Sequence, residues 1–250
     1  MSDQVAAYKK DRDAFGHMLM DFYHGKETFE IIEREDGFID ASDHVGVYFA
    51  AFEAWRPDEQ EAMQRLIPGG VLDLGCGAGR AALYLQGLGH AVVGIDISPL
   101  AIEVCRQRGV RDARWLSITQ VSEGLGQFEN ILLLGNNWGL MGSPGRAKWL
   151  LRRFYKMTSP QARIIASSND IYQTDSGIHL TYHAYNRERG RMSGQIRMRV
   201  CHAVWRSEWF DYLMVSRAEM EEILPGTGWR VSEYIGSSGS SYTAIIGKDG

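Results

Sequence analysis

Residues Val71 to Arg80, VLDLGCGAGR, constrain the fold more than any other stretch of the chain. A short apolar strand carrying one carboxylate runs into glycines at 75, 77 and 79, and a helical pattern follows. A strand that feeds a helix through a glycine turn opens a βα unit. Bare backbone at the turn admits a ligand to close contact, and the helix N-terminus offers amide donors. The spacing departs from the dinucleotide fingerprint G-x-G-x-x-G, because single residues separate the glycines and Asp73 precedes the first of them.

The residues that follow repeat the unit. Arg80 to Gly87 reads as helix, Ala91 to Ile95 as strand, and Pro99 to Arg108 as helix, with Ser98 as cap and Gly109 closing it. Strands are predicted near Ala113 to Leu116, over Phe128 to Leu134 and over Ala162 to Ser167, with a helix from Ala147 to Met157. After Ser216 to Leu224, a helix capped by Ser216, come strands at Trp229 to Ile235 and Tyr242 to Gly247. The GSSGSS loop from Gly236 to Ser241 joins them as a hairpin. Alternation of this kind predicts right-handed crossovers and a parallel sheet covered on both faces.

Asp96 lies seventeen positions beyond Gly79, at the predicted tip of the second strand. A carboxylate there accepts hydrogen bonds from ribose hydroxyls; its other reading, a helix N-cap, is better served by Ser98. Together, the run from Asp73 through Gly79 and the Val92-Val93-Gly94-Ile95-Asp96 strand closely resemble the class I S-adenosylmethionine-dependent methyltransferases. The resemblance implies a Rossmann-like, doubly wound α/β fold, with a mostly parallel seven-stranded sheet whose last strand is reversed. It implies S-adenosylmethionine as cofactor and S-adenosyl-L-homocysteine as product. Gly75, Gly77 and Gly79 then pass under the cofactor, with Cys76 in the same turn, Asp73 near the methionine end and Ile97 beside the adenine. The end of the fourth strand, Leu134-Gly135-Asn136-Asn137-Trp138, faces the reacting methyl in this family. Gly135 permits close approach there, while Asn136 and Asn137 either orient a bound group or serve as turn residues. Many relatives place an acidic residue at the third strand, where this chain has Ser117. Tyr48 either meets the methionine end or packs in the core.

Two regions fall outside the repeat, within what reads as one domain. Residues 1–66 read as a helical cover with a charged turn at Arg34-Glu35-Asp36-Gly37 and an apolar-periodic helix from about Val45 to Leu66. Residues 171–211 read as an antiparallel ribbon inserted between core segments 67–170 and 212–250. Ile196, Met198 and Val200 alternate there, with Tyr182 and Tyr185 on the opposing strand. The end of the fourth strand supplies the substrate candidates Asn137 and Trp138, and these covers supply Tyr185, Asn186, Arg34 and Arg197. The arginines either pair with an anionic group on the substrate or form a solvated face. His183, in the ribbon, is the general-base candidate, and a plain strand histidine is its alternative. A base is optional for methyl transfer, which depends first on holding nucleophile and methyl in line.

Composition narrows the partners. With 44% hydrophobic and 23% charged residues, the chain is ordinary globular material. A net charge of -4 with no long basic run, and no D/N-P-P-Y/F sequence after the fourth strand, disfavours nucleic acid. No stretch is apolar enough to span a membrane, the N-terminus lacks a signal-peptide core, and the three cysteines show no metal spacing. The expectation is a cytoplasmic, metal-free monomer or homodimer that methylates a small molecule, with an acceptor bearing an anionic group as the finer expectation. A protein or peptide methyltransferase, a non-catalytic cofactor-binding subunit and a nicotinamide-dependent oxidoreductase are the alternatives.

Overall fold

The computed structural model describes residues 10–236 and 239–249. The N-terminal MSDQVAAYK and the Ser237 and Ser238 of the last loop lie outside the described residues. The chain begins with α1 (Ala14–Tyr23), the hairpin β1 (Glu30–Arg34) and β2 (Ile39–Ser42), and α2 (Pro57–Met63). The repeat follows as β3 (Val71–Leu74), α3 (Arg80–Gly87), β4 (Val92–Asp96), α4 (Pro99–Gln107) and β5 (Ala113–Trp115). It continues with β6 (Phe128–Leu133), α5 (Pro144–Lys156) and β7 (Thr158–Asn169). Next come α6 (Gly177–Glu188), β8 (Gln195–His202), β9 (Trp205–Arg206) and β10 (Phe210–Leu213), then α7 (Arg217–Ile223), β11 (Trp229–Ile235) and β12 (Ser241–Lys248).

Seven strands form the core sheet in the order β11-β12-β7-β6-β3-β4-β5, with β12 antiparallel to both neighbours and the pairs from β7 to β5 parallel. Alternate residues divide between two apolar layers. Leu72, Leu74, Ile131 and Leu133 pack with Leu150, Leu151 and Phe154 of α5. Val71, Leu132 and Ile165 pack on the other face with Ala81 and Leu85 of α3 and Ala62 of α2. Helix starts follow their capping residues: Ser98 accepts from the Ala101 amide ahead of Pro99, and Ser216 forms a reciprocal box with Glu219. Strand order reverses between β6 and β3. The carboxyl ends of strands at such a reversal open a crevice that suits a ligand.

The covers differ from expectation in kind. The N-terminal segment contributes a β-hairpin turning at Arg34 to Gly37, and β1 pairs with β8, so that β10-β8-β1-β2 form a second antiparallel sheet to which β9 adds at β8. No continuous helix spans 45–66. Trp55 and Arg56 are extended, and Arg56 precedes Pro57, which disfavours helical backbone there, so α2 starts at Pro57 after two short 3-10 turns. The ribbon is half right. Ile196, Met198 and Val200 do lie on a strand, but Tyr182 and Tyr185 lie on α6, which buries Tyr182, His183 and Asn186 at helical spacing. Helix α6 is held by Asn186, whose amide nitrogen donates to the carbonyls of Ser193 and Gln195.

Asp13 joins the N-terminal segment to the core. Its carboxylate is fully buried, accepts from the Gly16 amide as N-cap of α1, and accepts from Ser98 Oγ and the Leu100 amide at the start of α4. Asp13→Ala removes the cap and orphans donors on both helices. It should lower unfolding stability by about 2–4 kcal/mol, seen as an earlier urea midpoint at unchanged slope.

Candidate active site

A cavity of about 1690 Å³ lies between the carboxyl ends of the core strands and the face of the second sheet. Its floor is the glycine turn. At Gly77, with φ +55°, an added Cβ would meet only Tyr48 at 3.5 Å and Phe15 at 3.9 Å, so the backbone there stands open to the cavity. Gly75 lines the cavity too, but a side chain on it would strike Asn137 and Leu140 at 2.7 Å. Gly79 turns away: its Cβ would strike Val110 at 2.7 Å and Cys105 at 3.0 Å beneath the turn. Of the three glycines, Gly79 is the one that does not border the cavity, and at positive φ it leaves room for Val110 and Cys105. Cys76 borders the cavity while its Sγ points to Cys105 Sγ, 3.8 Å away.

Two buried carboxylates flank this floor. Asp96 Oδ2 accepts from the Gly77 amide at 3.0 Å and Oδ1 from the Ser98 amide at 2.9 Å, so the side chain fixes the turn while keeping lone pairs for a ligand. Burial pushes Asp96 up to about 6 against those amides. Asp73 is 3% exposed, and its Oδ2 has no hydrogen-bond partner. Burial pushes Asp73 up to about 7, opposed by Arg80 and assisted by Asp96 and Glu59. A buried acceptor without a donor costs about 1–3 kcal/mol, and a ligand ammonium group would remove that cost. Asn136 Oδ1 is likewise buried and without a partner. These residues fit the methionine and ribose groups of S-adenosylmethionine.

The adjoining wall is the turn after β6, where Leu134, Gly135, Asn136 and Asn137 all border the cavity. Asn136 holds φ +68°, and its carbonyl accepts from Tyr212 Oη at 2.5 Å. Gly139 leaves room for that phenol, since a Cβ there would lie 2.0 Å from the Tyr212 ring. Asn137 Nδ2 donates to the carbonyls of Leu74 and Gly75, tying the two turns together. Trp138 is fully buried in the core and stands off the cavity, which corrects its expected substrate role. Glu59 escaped the sequence reading. It accepts from the Gly135 amide at 2.7 Å, from Ser167 Oγ at 3.1 Å and from Arg80 Nη2 at 2.7 Å. Arg80 carried a signal, following the last glycine directly; Glu59 carried none, being an acidic residue on a short helix. Ile97 and Ser117 border the cavity at the ends of β4 and β5.

The second sheet forms the roof. Glu30, Ile32 and Arg34 alternate onto the cavity from β1 and Ile196, Met198 and Val200 from β8, while β10 borders it with Phe210, Asp211 and Tyr212. Tyr48 Oη donates to Glu30 Oε1 at 2.6 Å. Arg34 is 6% exposed, paired through two nitrogens with Asp36, stacked between Phe38 and Tyr182, and 3.1 Å from His179 Nδ1. His183 borders the cavity at this end from α6, and burial pushes its imidazole down. Besides Trp138, three expected substrate residues stand off the cavity. Tyr185 is exposed beneath Arg189, Asn186 is occupied within its own loop, and Arg197 lies near Asp211 on the alternate side of β8.

A family model described as a methyltransferase domain matches residues 71–161, from β3 into β7. A SAM-dependent methyltransferase from Bacteroides fragilis, solved with S-adenosyl-L-homocysteine, is similar over 96% of both chains at 26% identity and a TM-score of 0.81. A SAM-dependent methyltransferase from Methanosarcina mazei shares the fold at 15% identity and a TM-score of 0.60, over 78% of this chain and 98% of its own. A 2-heptyl-1-hydroxyquinolin-4(1H)-one methyltransferase from Mycobacteroides abscessus is 46% identical over 43 residues, which are 17% of this chain and 19% of that protein. The aligned stretch therefore spans less than a fifth of that relative.

Because Asp73 binds its proton more tightly folded than unfolded, the stability it confers is complete below the ordinary carboxylate range and is lost as pH rises toward 7. Asp73→Asn should raise the Tm of the ligand-free protein at pH 8 by roughly 5 °C, with the gain vanishing near pH 4. Thermal scans at the two pH values check it; a lower Tm at pH 8 would contradict the buried-carboxylate account.

Proposed function

The chain belongs to the class I S-adenosylmethionine-dependent methyltransferase family, and from that premise we propose that it transfers a methyl group to a small-molecule acceptor held between floor and roof. The observation that carries this reading is the cavity itself. At about 1690 Å³ it exceeds the roughly 300–1,000 Å³ of a single-ligand pocket, and its roof supplies an apolar second compartment. Apolar residues of β8 and β10 wall that compartment, which suits a compact molecule better than an extended polypeptide.

S-adenosylmethionine, when bound, supplies an electrophilic methyl carbon on a sulfonium. The chain's own residues do the rest by holding and excluding. Asp96 offers its remaining lone pairs to ribose hydroxyls, and Asp73 with Asn136 offers acceptors to an ammonium group. The hydrogen bond from Tyr212 to the Asn136 carbonyl fixes the turn that borders the acceptor side. Fixed walls of this kind lower the barrier chiefly by orientation. No helix among the described residues is long and apolar enough to cross a membrane. The free cysteines Cys76, Cys105 and Cys201 support a reducing, cytoplasmic location.

Titration calorimetry with S-adenosyl-L-homocysteine should give saturable one-site binding, and Asp96→Ala should weaken it at least tenfold, about 1.4 kcal/mol. Mass spectrometry should then detect methyl transfer to small-molecule acceptors. Tight binding of the product without transfer to any acceptor would leave a cofactor-binding subunit instead.

A further inference from the structure

Glu30 occupies a position the floor residues do not explain. It sits on the cavity side of β1, and its Oε1 accepts the phenol of Tyr48, whose ring lies against the open face of Gly77. Its charge also reaches Tyr212, which is fixed on the Asn136 carbonyl. Glu30 thus lies among the phenols that connect the roof to the two turns bordering the proposed methyl site. Its second oxygen, Oε2, has no hydrogen-bond partner among the described residues. The titratable groups facing it are Tyr48, Asp40 from β2 and Tyr212 from β10. Burial pushes the carboxyl above its ordinary range and Asp40 adds to this, while the Tyr48 hydrogen bond opposes both. That direction brings a carboxylate closer to the strength a general base needs near neutral pH.

We propose that Glu30 is the catalytic base, and that the acceptor is a flat, largely apolar molecule presenting an enol or phenol-type ring hydroxyl to Glu30 Oε2. This rests on the methyltransferase reading. As the hydroxyl O–H bond breaks, its electron pair forms the new O–C bond; the methyl carbon parts from sulfur, which keeps the bonding pair. The proton stays on Glu30 Oε2 until product leaves. A basic amine is the poorer acceptor here, because a neighbouring carboxylate stabilises its protonated form and withholds the lone pair that must attack. The walls match a ring system. Between Glu30 and Arg34, four strand residues or about 13 Å apart, the roof presents Ile32, Met198, Val200 and Phe210. Arg34 closes the far end, with His179 and His183 beside it.

The test uses the full chain with 7-hydroxycoumarin, 4-hydroxyquinoline and 1-naphthol, each compared with its amino and methoxy analogues. In the complex with S-adenosyl-L-homocysteine, the parent should prefer a hydroxyl probe to its methoxy analogue, and Glu30→Gln should reduce that preference about tenfold while leaving S-adenosyl-L-homocysteine affinity within about twofold. With S-adenosylmethionine, at least one hydroxyl probe should be methylated. Glu30→Gln should lower kcat about a hundredfold and remove the acidic limb of its pH profile. Tyr48→Phe, which deprives the carboxylate of a donor, should move that limb to higher pH by about one unit. The proposal is overturned if Glu30→Gln keeps kcat within about threefold, if His183→Gln removes the acidic limb instead, or if only amino probes, or none, are methylated by a protein that binds S-adenosyl-L-homocysteine. A parent that binds neither S-adenosylmethionine nor S-adenosyl-L-homocysteine overturns the methyltransferase reading itself.

Discussion

One carboxylate under the cavity floor holds together parts that the chain keeps far apart. Glu59 comes from the N-terminal segment, yet it accepts from the backbone after β6, from a serine on β7 and from the arginine that starts α3. It is 1% exposed, so the interaction has little competition from water. Removing one partner from such a buried, hydrogen-bonded pair costs about 3–5 kcal/mol. The network also sets the local charge. Arg80, anchored by Glu59 and stacked on Trp55, is the cation that offsets the buried charge of Asp73. Floor, wall and N-terminal cover are therefore one electrostatic unit.

The core was legible because its signals are local. A strand, a glycine turn and a capped helix each announce themselves within ten residues, and Ser98 with Pro99 or Ser216 with Glu219 marks a helix start without reference to the rest of the chain. The roof was not legible, because its strands are defined by partners far away. β1 is too short to declare a period, and what makes it a strand is its pairing with β8, more than 160 residues later. Helix α6, by contrast, has a local signal. Tyr182 and Tyr185 stand three apart, a spacing that suits a helix better than one face of a strand, and the burial of Tyr182, His183 and Asn186 agrees with the helix. The helix expected over 45–66 is broken for a nearer reason: Pro57 disfavours helical backbone at Arg56, and apolar spacing does not override it.

The same division separates general from particular chemistry at the site. Asp73, the open Gly77 and Asp96 depend on the βα repeat, and any chain with that repeat can build them. Trp138, Asn186 and Arg197 have polar or aromatic character near the right place in the sequence, but direction decides whether such a residue reaches a ligand. Trp138 lies two residues after the positive-φ Asn136 and is carried into the core; Arg197 alternates away from Met198 and Ile196. Residues that do face the cavity from the roof, such as Glu30 and Tyr212, look unremarkable in the sequence because a strand of four or five residues gives no clue to which face is inward.

The pairing of β1 with β8 also sets an order of assembly. At about 5–20 residues per second, the ribosome takes roughly ten to thirty seconds to pass from Arg34 to Met198. Through that interval the β1–β2 hairpin waits with an open edge, while the floor already has β3, β4 and β6 in hand. The roof thus stays open until β8 and β10 follow, and a nascent chain stalled before β8 would carry an edge free to pair elsewhere.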